Sequence, residues 1–172
     1  MSDTVAVINH GRVEQVGAPE EIYGRPSSRF VAEFVGESNL LAGSVATGDV
    51  GVRLPFGEIA CDVRGAPAGT GIDVCIRPED VVLEAPGAAA TAANSFAGTV
   101  TRREYLGEHI SLSVDVGGAA ILVRAGRLHP AEPGDRLTVT LPAPALYSIV
   151  RPTGEHQESD APAGLQSEAP TR

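Results

Sequence analysis

Glu79 and Asp80 stand adjacent in "IRPED", and a paired acid and base would be their chemistry. On an extended chain, consecutive side chains point to opposite faces, so the two could not share one proton-transfer task. Glu20 and Glu21, in the first turn of a predicted helix, suit its macrodipole instead. No HExxH is present to hold zinc, His10 falls in a hairpin turn, and His109 in "GEHISL" lies on a predicted strand. "GESN" lacks the second glycine of a nucleophile elbow. Cys61 and Cys75 stand in apolar surroundings without a CxxC pair, which reads as buried structural thiols. All 13 basic residues are arginines, so a phosphate-binding loop of the GxxxxGK[ST] type is excluded for want of its lysine. Catalysis has no constellation here, and binding is the chemistry that remains.

The elements that would position such a binding site fall into two groups. "TVAVI" (Thr4–Ile8) and "RVEQV" (Arg12–Val16) are β-favouring runs joined through Gly11, a hairpin signal. Pro19 opens a short helix that Pro26 stops. In "SSRFVAEFVG", Ser27 or Ser28 caps a second helix with Gly36 as its stop, and Phe30, Val31, Phe34 and Val35 make an apolar face that needs a partner. From "NLLAGSVA" to "LYSIV" the grammar changes to short strands punctuated by Gly and Pro, as in a small β-barrel. The Ala-rich stretch Pro86–Asn94 links two halves of that barrel, and residues 151–172, rich in Pro, Gly, Ser and acids, are predicted to form a disordered tail.

A chain of 172 residues, 42% of them hydrophobic, can bury a core. Its net charge of −9 and 4% aromatic content argue against a nucleic-acid partner, which would need basic grooves and stacking rings. There is neither a basic and apolar secretion signal nor a run of about 18 apolar residues for a membrane span, so a cytoplasmic location is expected.

The stretch "SDTVAVINHGRVEQVGAPEEIYGRPSSRFVAEFVGESNLLAG" closely resembles the end of the ATP-binding subunit of ABC importers, beyond the switch histidine. The remainder, with "CIRPEDVVL" and "RREYLGEHISLSV", resembles the TOBE module, the transport-associated OB-like domain these subunits carry at the C-terminus. "GESNLL" and "YLG" are most similar to the polyamine-type importers, with ferric-ion and thiamine types close behind. The resemblance implies a mainly β fold: an OB-like TOBE barrel over residues 39–150, preceded by a hairpin and two short helices (1–38) left from the ATPase domain, with the tail at 151–172. It also implies that Met1 matches an internal position of longer subunits, whether through a truncated gene, a mis-called start or a split subunit.

What such a piece would do follows from the same resemblance. ATP and Mg²⁺ serve the full-length family, while no cofactor and no enzymatic activity are expected of this chain, whose upstream nucleotide motifs are missing. The expected partners are a second copy, through the TOBE domain, and permease subunits at the inner face of the membrane, with no nucleic acid. Leu106, Ile121 and Val123 are the apolar positions expected at the dimer interface. Arg77 and Glu79 match the family's "RPE" motif, where the arginine fixes a barrel corner. The alternative is a small-anion or regulatory-ligand site made by Arg77 with Arg102, Arg103 or Arg124, as oxyanions are bound by related molybdate modules, because a guanidinium's planar fork suits such ligands.

Overall fold

The structure, a computed structural model, describes residues 3–48, 51–85 and 93–152. Most of the Ala-rich link and the tail from residue 153 lie outside the described residues. The chain opens with the expected hairpin, β1 (Val5–Asn9) and β2 (Arg12–Gly17). Its two-residue turn places His10 at φ 45° and Gly11 at φ 77°. Positive φ at both central positions matches the twist of the paired strands. Helix α1 (Pro19–Gly24) follows without a side-chain cap at Ala18, and α2 (Arg29–Phe34) is capped by Ser28, whose hydroxyl accepts from the Val31 amide at 3.3 Å.

The apolar face of α2 is covered within the chain itself. Val31 packs with Val7 of the hairpin and Ile22 of α1, flanked by Val5, Phe30 and Val35, while Ala32 packs on Cys75 and Ile149 of the barrel. Phe34 remains 65% exposed and stacks on Phe30 at 5.6 Å between ring centroids.

Beyond the helices the regular structure among the described residues is strand, with two 3-10 turns. In order come β3 (Asn39–Val45), β4 (Val52–Leu54), β5 (Gly57–Ile59), β6 (Gly71–Ile76), a 3-10 turn (Pro78–Asp80) and β7 (Val82–Glu84). Then come β8 (Ser95–Tyr105), β9 (His109–Val116), β10 (Ala119–Gly126), β11 (Arg136–Thr140), a 3-10 turn (Ala143–Ala145) and β12 (Tyr147–Val150). They form two five-stranded antiparallel sheets, ordered β12-β6-β3-β4-β5 and β10-β9-β8-β11-β7, around one continuous core. This is the mainly β, OB-like architecture expected. Glu79 and Asp80 are not on an extended chain, as the pairing argument assumed, but in the 3-10 turn. Ile121 and Val123, expected at a surface, are 0% and 1% exposed: alternation along β10 points them inward, and Leu106 alone of the three is exposed.

The order of strands reveals an internal duplication. β3 to β7 and β8 to β12 run through the same sequence of strands and 3-10 turn, and "NLLAGSV" (39–45) at the start of one half reappears as "NSFAGTV" (94–100) at the start of the other. Pairing registers agree as well, since Leu41 faces Val74 and Gly43 faces Ile72, just as Phe96 faces Val139 and Gly98 faces Leu137. Each half gives its last strand to the other half's sheet: β7 pairs with β11, and β12 pairs with β6. Two asparagines close the corners between sheets in the same manner. The Asn39 amide exchanges two hydrogen bonds with the Leu122 backbone at 2.7 and 2.8 Å, and that of Asn94 does so with Ala60 at 2.7 and 2.9 Å. A side-chain amide thus stands in for the strand neighbour that each edge lacks.

Candidate functional site: the Arg77 corner

Strand β6 ends at Ile76, and Arg77, in extended backbone, leads into the 3-10 turn with its side chain turned back under the helices. It is 4% exposed. Its Nε and Nη2 donate to the Tyr23 carbonyl at 3.3 and 2.7 Å. Nη1 donates to the carbonyls of Ala32, Gly36 and Glu37 at 3.1, 3.1 and 3.0 Å and contacts the Ser38 hydroxyl. These acceptors lie at the C-terminal ends of α1 and α2 and in the link to β3, where helix carbonyls have no intrahelical partner and the dipole favours a cation. The guanidinium carbon lies 3.9 Å from the centroid of the Tyr23 ring, a cation–π contact within a partly desolvated site.

A second ring of polar contacts surrounds this one. The Tyr23 hydroxyl donates to Glu79 Oε1 at 2.5 Å, Glu79 Oε2 meets Arg124 Nη1 at 3.3 Å, and Arg124 Nη2 donates to Glu37 Oε2 at 3.0 Å. Burial raises the Tyr23 pKa, and the hydrogen bond and charge of Glu79 add to that against the opposing pull of Arg77 and Arg124. For Glu79, burial pushes upward, but the Tyr23 hydroxyl, its own backbone amide and the two arginines outweigh it and hold the carboxyl below its ordinary range. Burial, then the neighbouring Glu79, raises Asp80. The Cys75 thiol beneath the corner is pushed up by burial, opposed by Ser38 and Arg77, and burial takes Cys61 to about 11, so both behave as core residues rather than nucleophiles.

Of the five positions singled out in the sequence, Arg77, Glu79 and Arg124 come together here. Arg102 and Arg103 lie on β8 and pair elsewhere, with Glu104 at 2.6 Å and Glu132 at 3.6 Å. Every nitrogen of the Arg77 guanidinium donates to a carbonyl of this chain, so what the corner binds is its own preceding segment. Sequence reasoning did not find Tyr23, Glu37 and Ser38, which act through backbone carbonyls or across long separations and leave no local pattern. Asn39 and Asn94 had a signal, the repeated Asn-x-x-Ala-Gly-[Ser/Thr]-Val, which a search for self-similarity would have caught.

Residues 74–148 match the family described as TOBE domain. Over 128 residues, 74% of this chain, it is 36% identical to the spermidine/putrescine import ATP-binding protein PotA of Borreliella afzelii, of which it covers 35%. The PotA of Acetivibrio thermocellus is 40% identical over 119 residues, 69% of this chain and 32% of that protein. The chain therefore spans about a third of the length of these curated relatives. Among solved structures, the cytoplasmic molybdate-binding protein ModG with molybdate bound superposes with a TM-score of 0.57 over 66% of this chain and 96% of that one. At 20% identity, this likeness is one of fold alone. Residues 74–148 thus match the TOBE domain family, and over about three quarters of its length the chain is similar to part of spermidine/putrescine import ATP-binding proteins.

Proposed function

We propose that this chain serves as the regulatory, dimer-stabilising module of an ABC importer ATP-binding subunit, in uptake of solutes of the polyamine class. The observation that carries the reading is the match to spermidine/putrescine import ATP-binding proteins over 74% of the chain. In this reading residues 1–38 are the end of an ATPase domain, 39–150 the TOBE module and 151–172 a tail. The outward face of the hairpin supports it: Ile8, paired with Val13, and Val16 are exposed and apolar, as a sheet face built to pack on a further domain would be. The chemistry of ATP and Mg²⁺ belongs to that further domain, and permease subunits at the inner membrane face are the partners of the assembled importer.

The dimer contact we assign to the barrel end carrying Tyr105, the last residue of β8, Leu106 in the turn after it, and Leu128, just beyond β10, which is 86% exposed. Leu106 keeps its expected place, and Tyr105 and Leu128 stand in for Ile121 and Val123, which serve the core. Sedimentation of the isolated chain over a wide concentration range tests the proposal. Concentration-dependent dimerisation is expected, weakened about tenfold or more by Leu106→Asp, since charge in an apolar contact costs more than about 1.4 kcal/mol. A protein that stays monomeric throughout would exclude the dimer, and a small-anion sensor that works as a monomer would then be the surviving reading.

A further inference from the structure

The duplicated architecture contains its own control for Arg77. Aligning the halves by pairing register sets Cys75 against Thr140, because they face Tyr147 and Val82, and carries Arg77-Pro78-Glu79-Asp80 onto Pro142-Ala143-Pro144-Ala145. Both stretches place a 3-10 turn at the same point, between the fourth strand and the exchanged fifth. The second half therefore turns this corner with no charged side chain at all. An arginine is not what the barrel needs there.

What distinguishes the first half is the segment lying on it. The outer face of the first sheet presents Cys75, Ile149, Leu40 and Tyr147, and Ala32 of α2 packs among them. The matching face of the second sheet has Ser95 and Thr140, hydrogen-bonded at 2.8 Å, where the first has Leu40 and Cys75, leaves Val82 exposed, and carries no helix among the described residues. The segment also has an apolar cluster of its own, Val7, Ile22 and Val31, separate from the barrel core. Its attachment to the barrel is accordingly thin in apolar contacts and dense in polar ones.

We infer that Arg77, with Tyr23, Glu37, Glu79 and Arg124, forms a joint that locks residues 19–38 onto the barrel in one orientation and can open without unfolding the barrel. The joint grips both sheets, since Arg77 follows β6 of the first and Arg124 lies on β10 of the second. Displacement of the segment would thus pull on the two sheets together. The inference concerns this chain alone and holds whether or not the chain dimerises.

Amide hydrogen exchange on the full chain tests it. In Arg77→Ala, amides of residues 19–37 should exchange about tenfold faster or more, while those of β8, β9 and β11 keep their rates, because local opening is set by the contacts of the opening unit. Equal acceleration in those strands would make Arg77 a barrel residue and overturn the inference, as would unchanged rates in residues 19–37. Should Arg77→Ala not fold, Tyr23→Phe combined with Glu79→Gln decides on the same readout. That variant should loosen residues 19–37 selectively, and unaltered exchange along the whole chain would overturn the joint.

Discussion

Asn39 and Asn94 show how much one amide can hold when it is the sole partner of a backbone group at a sheet edge. Both are buried, and each satisfies an N–H and a C=O on the opposite sheet while donating a further bond, to Ile76 at 3.4 Å or Leu141 at 3.1 Å. Leucine at either position has similar bulk but leaves two backbone groups unpaired, at about 1–3 kcal/mol for each buried group that stays dry. Asn94 also sits at φ 62°, a conformation asparagine tolerates and leucine does not. Asn94→Leu should therefore lower stability more than Asn39→Leu in urea unfolding, and Asn94→Gly, which keeps the conformational freedom, should fall between wild type and Asn94→Leu. Equal losses would mean that backbone strain plays no part at this corner.

The elements were largely legible, and the reasons are local. "HISLSVDV" and "AAILVRA" alternate with the period of a strand, Ser28 stands at the cap of α2, and Pro19 opens α1, so each boundary carried its own chemistry. The cover of α2 was not legible, because Val31 meets Val7 and Ile22 through a tertiary arrangement that no periodicity encodes. Nor was the inward aim of Ile121 and Val123: alternation says that two faces differ, but which face is the core depends on the opposite sheet. Of the candidate site, the arginine and glutamate of "RPE" could be read and their partners could not. Tight crossing of the first strand of each half was hidden in the shared Ala-Gly pairs. A Cβ at Gly43 would lie 2.6 Å from the Arg53 carbonyl oxygen, and one at Gly98 2.6 Å from a Val114 methyl. Overpacking of this kind costs about 1–3 kcal/mol where side chains can shift. Alanine at Gly43 should cost more than at Gly98, since a strand carbonyl cannot rotate away, whereas alanine at Gly126, with open space around it, should leave the thermal midpoint within about a degree or two. Calorimetric melts of the three variants check the order.

For the molecule as a whole, the absence of lysine makes a definite prediction about nucleotides. On the proposed reading, which leaves ATP chemistry to a further domain, the isolated chain, having no phosphate-loop lysine, should neither bind nor hydrolyse ATP. Saturable binding in the micromolar range by titration calorimetry would contradict that. The exchanged strands carry a different consequence, for assembly in time rather than for binding. β7 cannot complete its sheet until β11 has been made, and β12 closes on β6, which precedes it by some seventy residues of chain. Neither half completes its sheet by itself, and a nascent first half waits on a ribosome adding about 5–20 residues per second with the edge of β6 bare. Pairings this distant in sequence close slowly, on the order of milliseconds to seconds. By the same logic, two peptides separated between β7 and β8 would each lack a strand that only the other holds, and should recover structure when mixed.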